Sequence, residues 1–552
     1  MESVLDYCLS YCCLCCSCYA PRTHDDDLYE PLLLDEERAA VNELLNYLNR
    51  EYEEKPSLSE DRLHALYVLT YSHNADLQRS AALCLAEISE RLLQPINGKV
   101  LEPLLALMEC RDVETQKAAS LALSNLALHG HDSNKAEIMR SGALHLLIRL
   151  LCSSSEEIQC NACGCITTLA TTDANKREIV SCGGVPPLIT LAKSNDLRVQ
   201  RNAIGALLNL THIASTRTVL VSYGAVTLFI NCLHSPDLEI QYYCAAALSN
   251  LAVDAVHRAA VVQAGNHKVL RQLIHLLDSS SDKVKCQACF ALRNLASDED
   301  NQVTIVELGV LPPLHRVMET CTKDTIAAAV AALRNLSIHK KNEMPIVRES
   351  FLVELGLQLR EPMSWDAHCH AAGTIRNLAA GDQLRTIIEK GTLDSLIVAF
   401  MRTTSPIAVQ SELTAALAVL SADDQAKAML VGAQEGKVFS RLVSLAAHSH
   451  HSDVQYNSAG TIGQLVLQDL PAGLIRCNIL GLLRYIEHFT RHADPSFIHI
   501  GLWTSLQLLK DATFRTAFGE SAIPRLLEGM QQRPSIPPQI QQLAQTVLDN
   551  MG

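Results

Sequence analysis

Aromatic side chains are scarce in this chain: 4% of 552 residues, against 48% hydrophobic residues overall. A β-sandwich core would draw heavily on them, so their scarcity points to helices packed through Leu, Ala, Val and Ile. Glycine (24) and proline (19) are modest, and few helix breakers interrupt the text. Long apolar runs are missing too, since none reaches the roughly 18–20 residues of a membrane span. Excess positive charge is absent. The formal net charge is −14, which argues against a general nucleic-acid binder. There is no Gly-rich phosphate loop, no H-E-x-x-H and no G-x-S-x-G, so no enzyme class is indicated. The first apolar stretch has no basic residues before it and contains Glu2 and Asp6, so no secretory signal is expected.

Cysteine, by contrast, is abundant (20) and unevenly placed. Cys8, Cys12, Cys13, Cys15, Cys16 and Cys18 crowd into one short string, CLSYCCLCCSC. The others scatter singly through helical text, as Cys244 and Cys289 do, and read as small buried hydrophobes in a reducing compartment. The thiols of the cluster are too tightly spaced for paired zinc ligation, and His24 is an isolated candidate partner. Disulfides do not suit a cytosolic repeat protein. The favoured reading is multiple S-acylation, with Val4, Leu5, Leu9 and Leu14 adding apolar surface. Each acyl chain contributes about 0.8 kcal/mol per buried CH₂, and two chains suffice for stable anchoring. Myristoylation is ruled out because Glu2, not glycine, follows Met1. Residues 21–37, PRTHDDDLYEPLLLDEE, form an acidic tether that anionic lipid would repel, so anchoring falls to the acylated thiols. The expected organisation is an S-acylation segment at 1–20, the tether at 21–37, a repeat array at 38–530, and a Pro-containing linker with a short C-terminal helix at 531–552.

The array is announced by a recurring phrase: DLQRSAALCLAEIS at 76–89, RVQRNAIGALLNLT at 198–211, EIQYYCAAALSNLA at 239–252, KVKCQACFALRNLA at 283–296 and six further versions, closing with SFIHIGLWTSLQLL at 496–509. Its twelfth position falls at Glu87, Asn125, Thr168, Asn209, Asn250, Asn294, Asn335, Asn377, Val419, Gln464 and Gln507, a period of about 38–45 residues typical of helical repeats. Within 198–211, Ala203, Leu207 and Leu210 share one helical face. A second helix precedes each phrase and is often entered after glycine, with Pro186, Pro187, Pro312 and Pro313 in its first turn, where a missing N–H costs little. Each unit exposes apolar faces that only its neighbours can cover, so the units must stack.

The Asn-bearing phrase, the connecting glycine and the three-helix length resemble the armadillo family over about residues 60–510. That resemblance implies an all-α, right-handed superhelical armadillo-repeat solenoid of about eleven to twelve repeats. Such a fold implies binding without specifying the partner. It also implies that Asn125, Asn209, Asn250, Asn294, Asn335 and Asn377 hold the backbone of an extended partner peptide. Thr168, Val419, Gln464 and Gln507 depart from the pattern. The alternative, that each Asn braces the neighbouring repeat, stays open. One position earlier, Arg293, Arg334 and Arg376 recur in three consecutive phrases. Stacked helices lie about 8–10 Å apart, so this line is roughly 20 Å long. It reads either as a docking track for an acidic or polar segment or as a set of ion pairs across repeats.

The phrases, taken with the cysteine cluster, are further similar to the lipid-anchored armadillo adaptors of the fungal vacuole. That resemblance implies attachment to the cytosolic face of the vacuolar membrane. The implied roles are vacuole inheritance, vacuole fusion, nucleus–vacuole contact and autophagy-related delivery. The implied partners are a myosin adaptor, a nuclear-envelope tether and an autophagy-initiation regulator. It places the arginine row at the family's basic groove positions. Those adaptors usually combine myristoyl and palmitoyl groups, whereas only thiols are on offer here. Two other armadillo classes are weighed against this. Nuclear-import adaptors carry Trp four residues before the ladder Asn, and here only Trp503 is so placed, before Gln507. A soluble β-catenin-like scaffold would need no acylated tip. His448, His450 and His451 read as an inter-repeat loop, and no metal or cofactor is expected. At the C-terminus, Ile540, Leu543, Val547 and Leu548 suit either a cap on the last repeat or contact with a second copy. The sequence leaves self-association open.

Overall fold

A computed structural model describes residues 33–49, 58–263, 267–361, 364–468, 470–530 and 536–551. The six N-terminal cysteines, His24 and nearly all of the acidic tether lie outside these residues. The described elements are all helical, beginning with Asp35–Asn49. From there most of the chain repeats one pattern: a short helix, a second helix and then the phrase-bearing helix, as in Asn134–Arg140, Ala143–Leu150 and Glu156–Leu169, while Val113–Leu128 and Pro495–Leu508 are each preceded by a single helix.

We label the phrase-bearing helices in chain order: α1 (Ala75–Ser89), α2 (Val113–Leu128), α3 (Glu156–Leu169), α4 (Leu197–Leu210), α5 (Leu238–Leu251), α6 (Asp282–Leu295), α7 (Lys323–Leu336), α8 (Trp365–Ala380), α9 (Ile407–Leu420), α10 (Ser452–Leu465), α11 (Pro495–Leu508) and α12 (Pro538–Asp549). The chain divides into two compact units, Met1–Val269 and Leu270–Gly552. In the first, α1 to α5 pack each on the next; in the second, α6 to α12 do the same. This is the armadillo-repeat architecture.

Local chemistry sets the repeat. The first and second helices meet at a residue with positive φ, for example Gly142 (81°), Gly224 (81°) and Gly309 (85°), a conformation that costs glycine nothing. Pro186 and Pro187 lie in the first turn of Val185–Leu191, and Pro312 and Pro313 in that of Leu311–Thr320. Several phrase-bearing helices are opened by an acceptor side chain at the N-cap, as with Asp196, Asp237 and Asp494, which satisfies an otherwise orphaned N–H. The glutamine at the phrase's third position has a further task. Nε2 of Gln78, Gln116, Gln159, Gln241 and Gln455 donates to the carbonyl oxygen six residues earlier, at 2.6–2.9 Å. Each such bond closes the turn between second and third helix, fixing the angle at which the third helix leaves.

The apolar face is buried as its spacing predicts. Ala203, Leu207 and Leu210 are fully buried, as are Cys244 and Cys289. Burial pushes both of those thiols well up from their ordinary pKa, so they stay protonated and packed. At the C-terminus, α12 packs on α11, burying Ile540, Ala544 and Val547. Gln541, at the third position, donates to the Met530 carbonyl at 3.4 Å, eleven residues earlier instead of six. The short C-terminal helix is thus a twelfth phrase-bearing helix stacked on the eleventh.

Candidate functional site

All six ladder asparagines are half-buried on their helices. The side-chain amides of five donate to the last turn of the preceding phrase helix. Where that helix ends in a hydroxyl residue, the hydroxyl accepts: Asn125 Nδ2 lies 3.1 Å from Ser89 Oγ, and Asn250 Nδ2 lies 2.9 Å from Thr211 Oγ1. Where it ends in alanine, a backbone carbonyl accepts: Asn209 reaches Thr167 O at 3.0 Å and Asn335 reaches Arg293 O at 2.9 Å. Asn377 uses both kinds, Arg334 O and Ser337 Oγ, each at 3.1 Å. The bracing alternative therefore describes what these five amides do within the chain. Each bond contributes about 1 kcal/mol net, a minor part of a repeat interface built on many buried leucines at roughly 1.5–3 kcal/mol each. The Oδ1 atoms of Asn125, Asn209, Asn250 and Asn335 make no hydrogen bond among the described residues and remain available to a partner's N–H.

The arginines behave unequally. Arg334 on α7 and Arg376 on α8 converge on one carboxylate, Glu412 of α9. Arg334 Nη2 lies 2.5 Å from Oε1, and Arg376 Nη1 lies 2.8 Å from Oε2. The second contact is close but off the hydrogen-bond axis, so Oε2 has no aligned donor. The Glu412 side chain is only 15% exposed, against 26% for Arg334 and 32% for Arg376. To reach Glu412, Arg334 crosses α8 directly over Gly373, where a Cβ would stand 2.6 Å from its Nε. Only glycine leaves that path open. Arg334 Nη1 also lies 3.4 Å from His370 Nδ1. Burial first, and then the charges of Arg334 and Arg293, hold the His370 ring down to about 4, so it is neutral at pH 7 and Nδ1 can accept. Arg293 on α6 is half-buried and has no carboxylate at ion-pair distance among the described residues.

For Arg334 and Arg376 the ion-pair alternative is thus realised inside the chain, while Arg293 stands apart. Two guanidinium groups share one carboxylate, and the third has none at ion-pair distance among the described residues. Glu412 was missed from sequence because its partners lie 36 and 78 positions away. The only sequence signal is an acid at the fifth phrase position, among residues such as Asn161 and Asn202.

Other singled-out residues fall elsewhere. Trp503 lies against Gly463 of the preceding phrase helix. His448 ends the helix Lys437–His448, with Arg484 Nη1 2.7 Å from its Nε2, and His451 precedes α10. No described helix is long and apolar enough to cross a membrane.

The armadillo/β-catenin-like repeat family matches residues 131–171, 172–212, 216–253 and 257–297. The chain is 48% identical over 511 residues to Vacuolar protein 8 of Schizosaccharomyces pombe, covering 90% of each chain. It is 46% identical to Vacuolar protein 8 of Candida albicans, over 90% of this chain and 84% of that one. Against the Saccharomyces cerevisiae protein of the same name it is 42% identical, over 90% and 85%. Among solved structures, an engineered protein superposes with a TM-score of 0.66 at 27% identity, covering 73% of this chain and 98% of the other. A chain from a study of the cadherin–β-catenin interaction superposes at 0.66 with 16% identity, covering 88% and 98%, which is a likeness of fold. The protein is an armadillo-repeat scaffold. With such identity across nine-tenths of its length, the chain belongs to the Vacuolar protein 8 family of armadillo-repeat proteins.

Proposed function

We propose that the protein is a lipid-anchored adaptor on the cytosolic face of the vacuole, and that its second unit binds an extended, acidic segment of partner proteins. The observation that carries this reading is the excess of guanidinium groups over carboxylates at Arg293, Arg334, Arg376 and Glu412, on a chain whose net charge is −14. A local surplus of arginine against that background favours a carboxylate-bearing partner. The unused Oδ1 of Asn335 on α7 offers a side-chain acceptor to that segment's backbone N–H. In the first unit, Asn125, Asn209 and Asn250 offer acceptors of the same kind; Asn294 and Asn377 of the second unit complete the proposed contact set. The membrane end of the adaptor is the thiol cluster Cys8, Cys12, Cys13, Cys15, Cys16 and Cys18. The roles proposed for it are vacuole inheritance, vacuole fusion, nucleus–vacuole contact and autophagy-related delivery. The proposed partners are a myosin adaptor, a nuclear-envelope tether and an autophagy-initiation regulator.

The test is the triple variant Arg293→Glu, Arg334→Glu, Arg376→Glu, assayed by co-precipitation of those partners and by circular dichroism. The expected result is loss of at least one partner from a protein that keeps its helical signal. A folded triple variant that retains every partner would overturn the reading.

A further inference from the structure

A groove of about 650 Å³ lies beside the arginine row, lined by residues of α8 to α11 and the turn before α11, including Arg376, Asp453, Tyr456, His492, Asp494 and Phe497. The sign of the charge changes along it. Arg376 is already matched by Glu412, 2.8 Å away. Asp453 is exposed and makes no hydrogen bond or ion pair among the described residues. Asp494 spends Oδ1 on capping α11, accepting from the Ser496 N–H at 2.8 Å, and its other oxygen is unengaged. An aromatic cluster lines the same groove as these two carboxylates. Tyr456 is 38% exposed and leans on Phe497 at 5.2 Å, while His492 stacks on Phe497 at 3.9 Å. His492 Nδ1 accepts the Asp494 N–H at 3.0 Å, which fixes both the ring and the capping carboxylate.

Two carboxylates sharing a groove with aromatic faces form a receptor for a flat or compact cation, through charge pairing and cation–π contact. We propose that this pocket receives an arginine or lysine side chain of the same partner segment whose acidic stretch lies along the arginine row. The inference rests on the reading above and adds to it a required charge pattern: an acidic run and a cation on its α11 side. Arg376 borders the pocket, and adjacent phrase helices are about 8–10 Å apart. An extended chain covers about 3.3 Å per residue. The cation therefore lies roughly three to six residues beyond the last acidic residue.

The experiment measures fluorescence anisotropy of labelled peptides on the full chain. Each peptide carries six glutamates and, four residues beyond them, either arginine or glutamine. The set is made with that residue on the N-terminal side and again on the C-terminal side. One arginine peptide is expected to bind at least ten-fold more tightly than its glutamine control. Asp453→Asn and Tyr456→Ala are expected to reduce that advantage below two-fold and leave the control's affinity unchanged. If the controls bind and arginine adds nothing in either orientation, the pocket proposal fails and the arginine row stands. If the variants weaken arginine and glutamine peptides equally, the pocket has no cation selectivity and the proposal also fails. If no glutamate peptide binds at all, the arginine-row reading fails, and the pocket proposal with it.

Discussion

Several single residues in this chain tie one repeat to the next. Arg79 of α1 reaches Asp112, the N-cap of α2, with Nε–Oδ2 at 3.0 Å and Nη2–Oδ1 at 3.1 Å, while Asp112 also accepts the Thr115 N–H. The Arg79 guanidinium, helped by the Thr115 hydroxyl and N–H, holds the Asp112 carboxyl at about 2, below its ordinary 3.8. A carboxyl with a depressed folded-state pKa stabilises the fold fully above its unfolded pKa, and that stability is lost as pH falls through the folded value. The Asp112 contribution should therefore be complete above about pH 4 and fade toward pH 2. A shift of this size corresponds to roughly 1–2 kcal/mol for a group that is mostly shielded. Urea melts of wild type and Arg79→Ala should differ by that amount at pH 7 and converge as pH falls to 2. A difference that is the same at pH 7 and pH 2 would contradict this account.

At the scale of elements, the phrase-bearing helices were readable to within about two residues, because period, N-cap and apolar spacing all agree. The text 114–127 became Val113–Leu128 and 453–466 became Ser452–Leu465. The twelfth is expected only as a short C-terminal helix and not as a repeat phrase, because Pro534, Pro537 and Pro538 break the text before it and its apolar positions are few. Its register was nevertheless present. Gln541 stands at the third position, and Asn550 follows Gln507 by 43 residues, within the period of the others. Since α12 covers the end of the stack, replacing Ile540 and Val547, 5% and 0% exposed, with aspartate should undo it, because burying an unpaired carboxylate costs several kcal/mol. Amide hydrogen exchange should then rise in α11 and α12 and stay unchanged in the unit Met1–Val269, as nearest-neighbour stability in a solenoid requires. Equal loss of protection in both units would argue against a terminal cap. The arginine row was legible as a row but not as a network, because its counterion comes from a different phrase and the path to it depends on the absence of a side chain at Gly373.

At the scale of the whole molecule, the proposal joins a membrane-fixed tip to a binding unit. In that proposal the membrane end is the thiol cluster. Serine at all six of Cys8, Cys12, Cys13, Cys15, Cys16 and Cys18 should move the protein from the vacuolar membrane fraction to the soluble one, and persistent attachment would contradict the anchor. The central claim is that Arg293, Arg334 and Arg376 receive a partner's carboxylates, with Glu412 filling part of that place in the free chain. The affinity of a single acidic peptide for wild type, Arg293→Glu and Glu412→Gln tests it most directly. The account predicts weaker binding, by about ten-fold or more, for Arg293→Glu, where no internal ion pair is broken. It predicts tighter binding for Glu412→Gln, where two guanidinium groups lose their internal competitor. Unchanged affinity in both variants would contradict it.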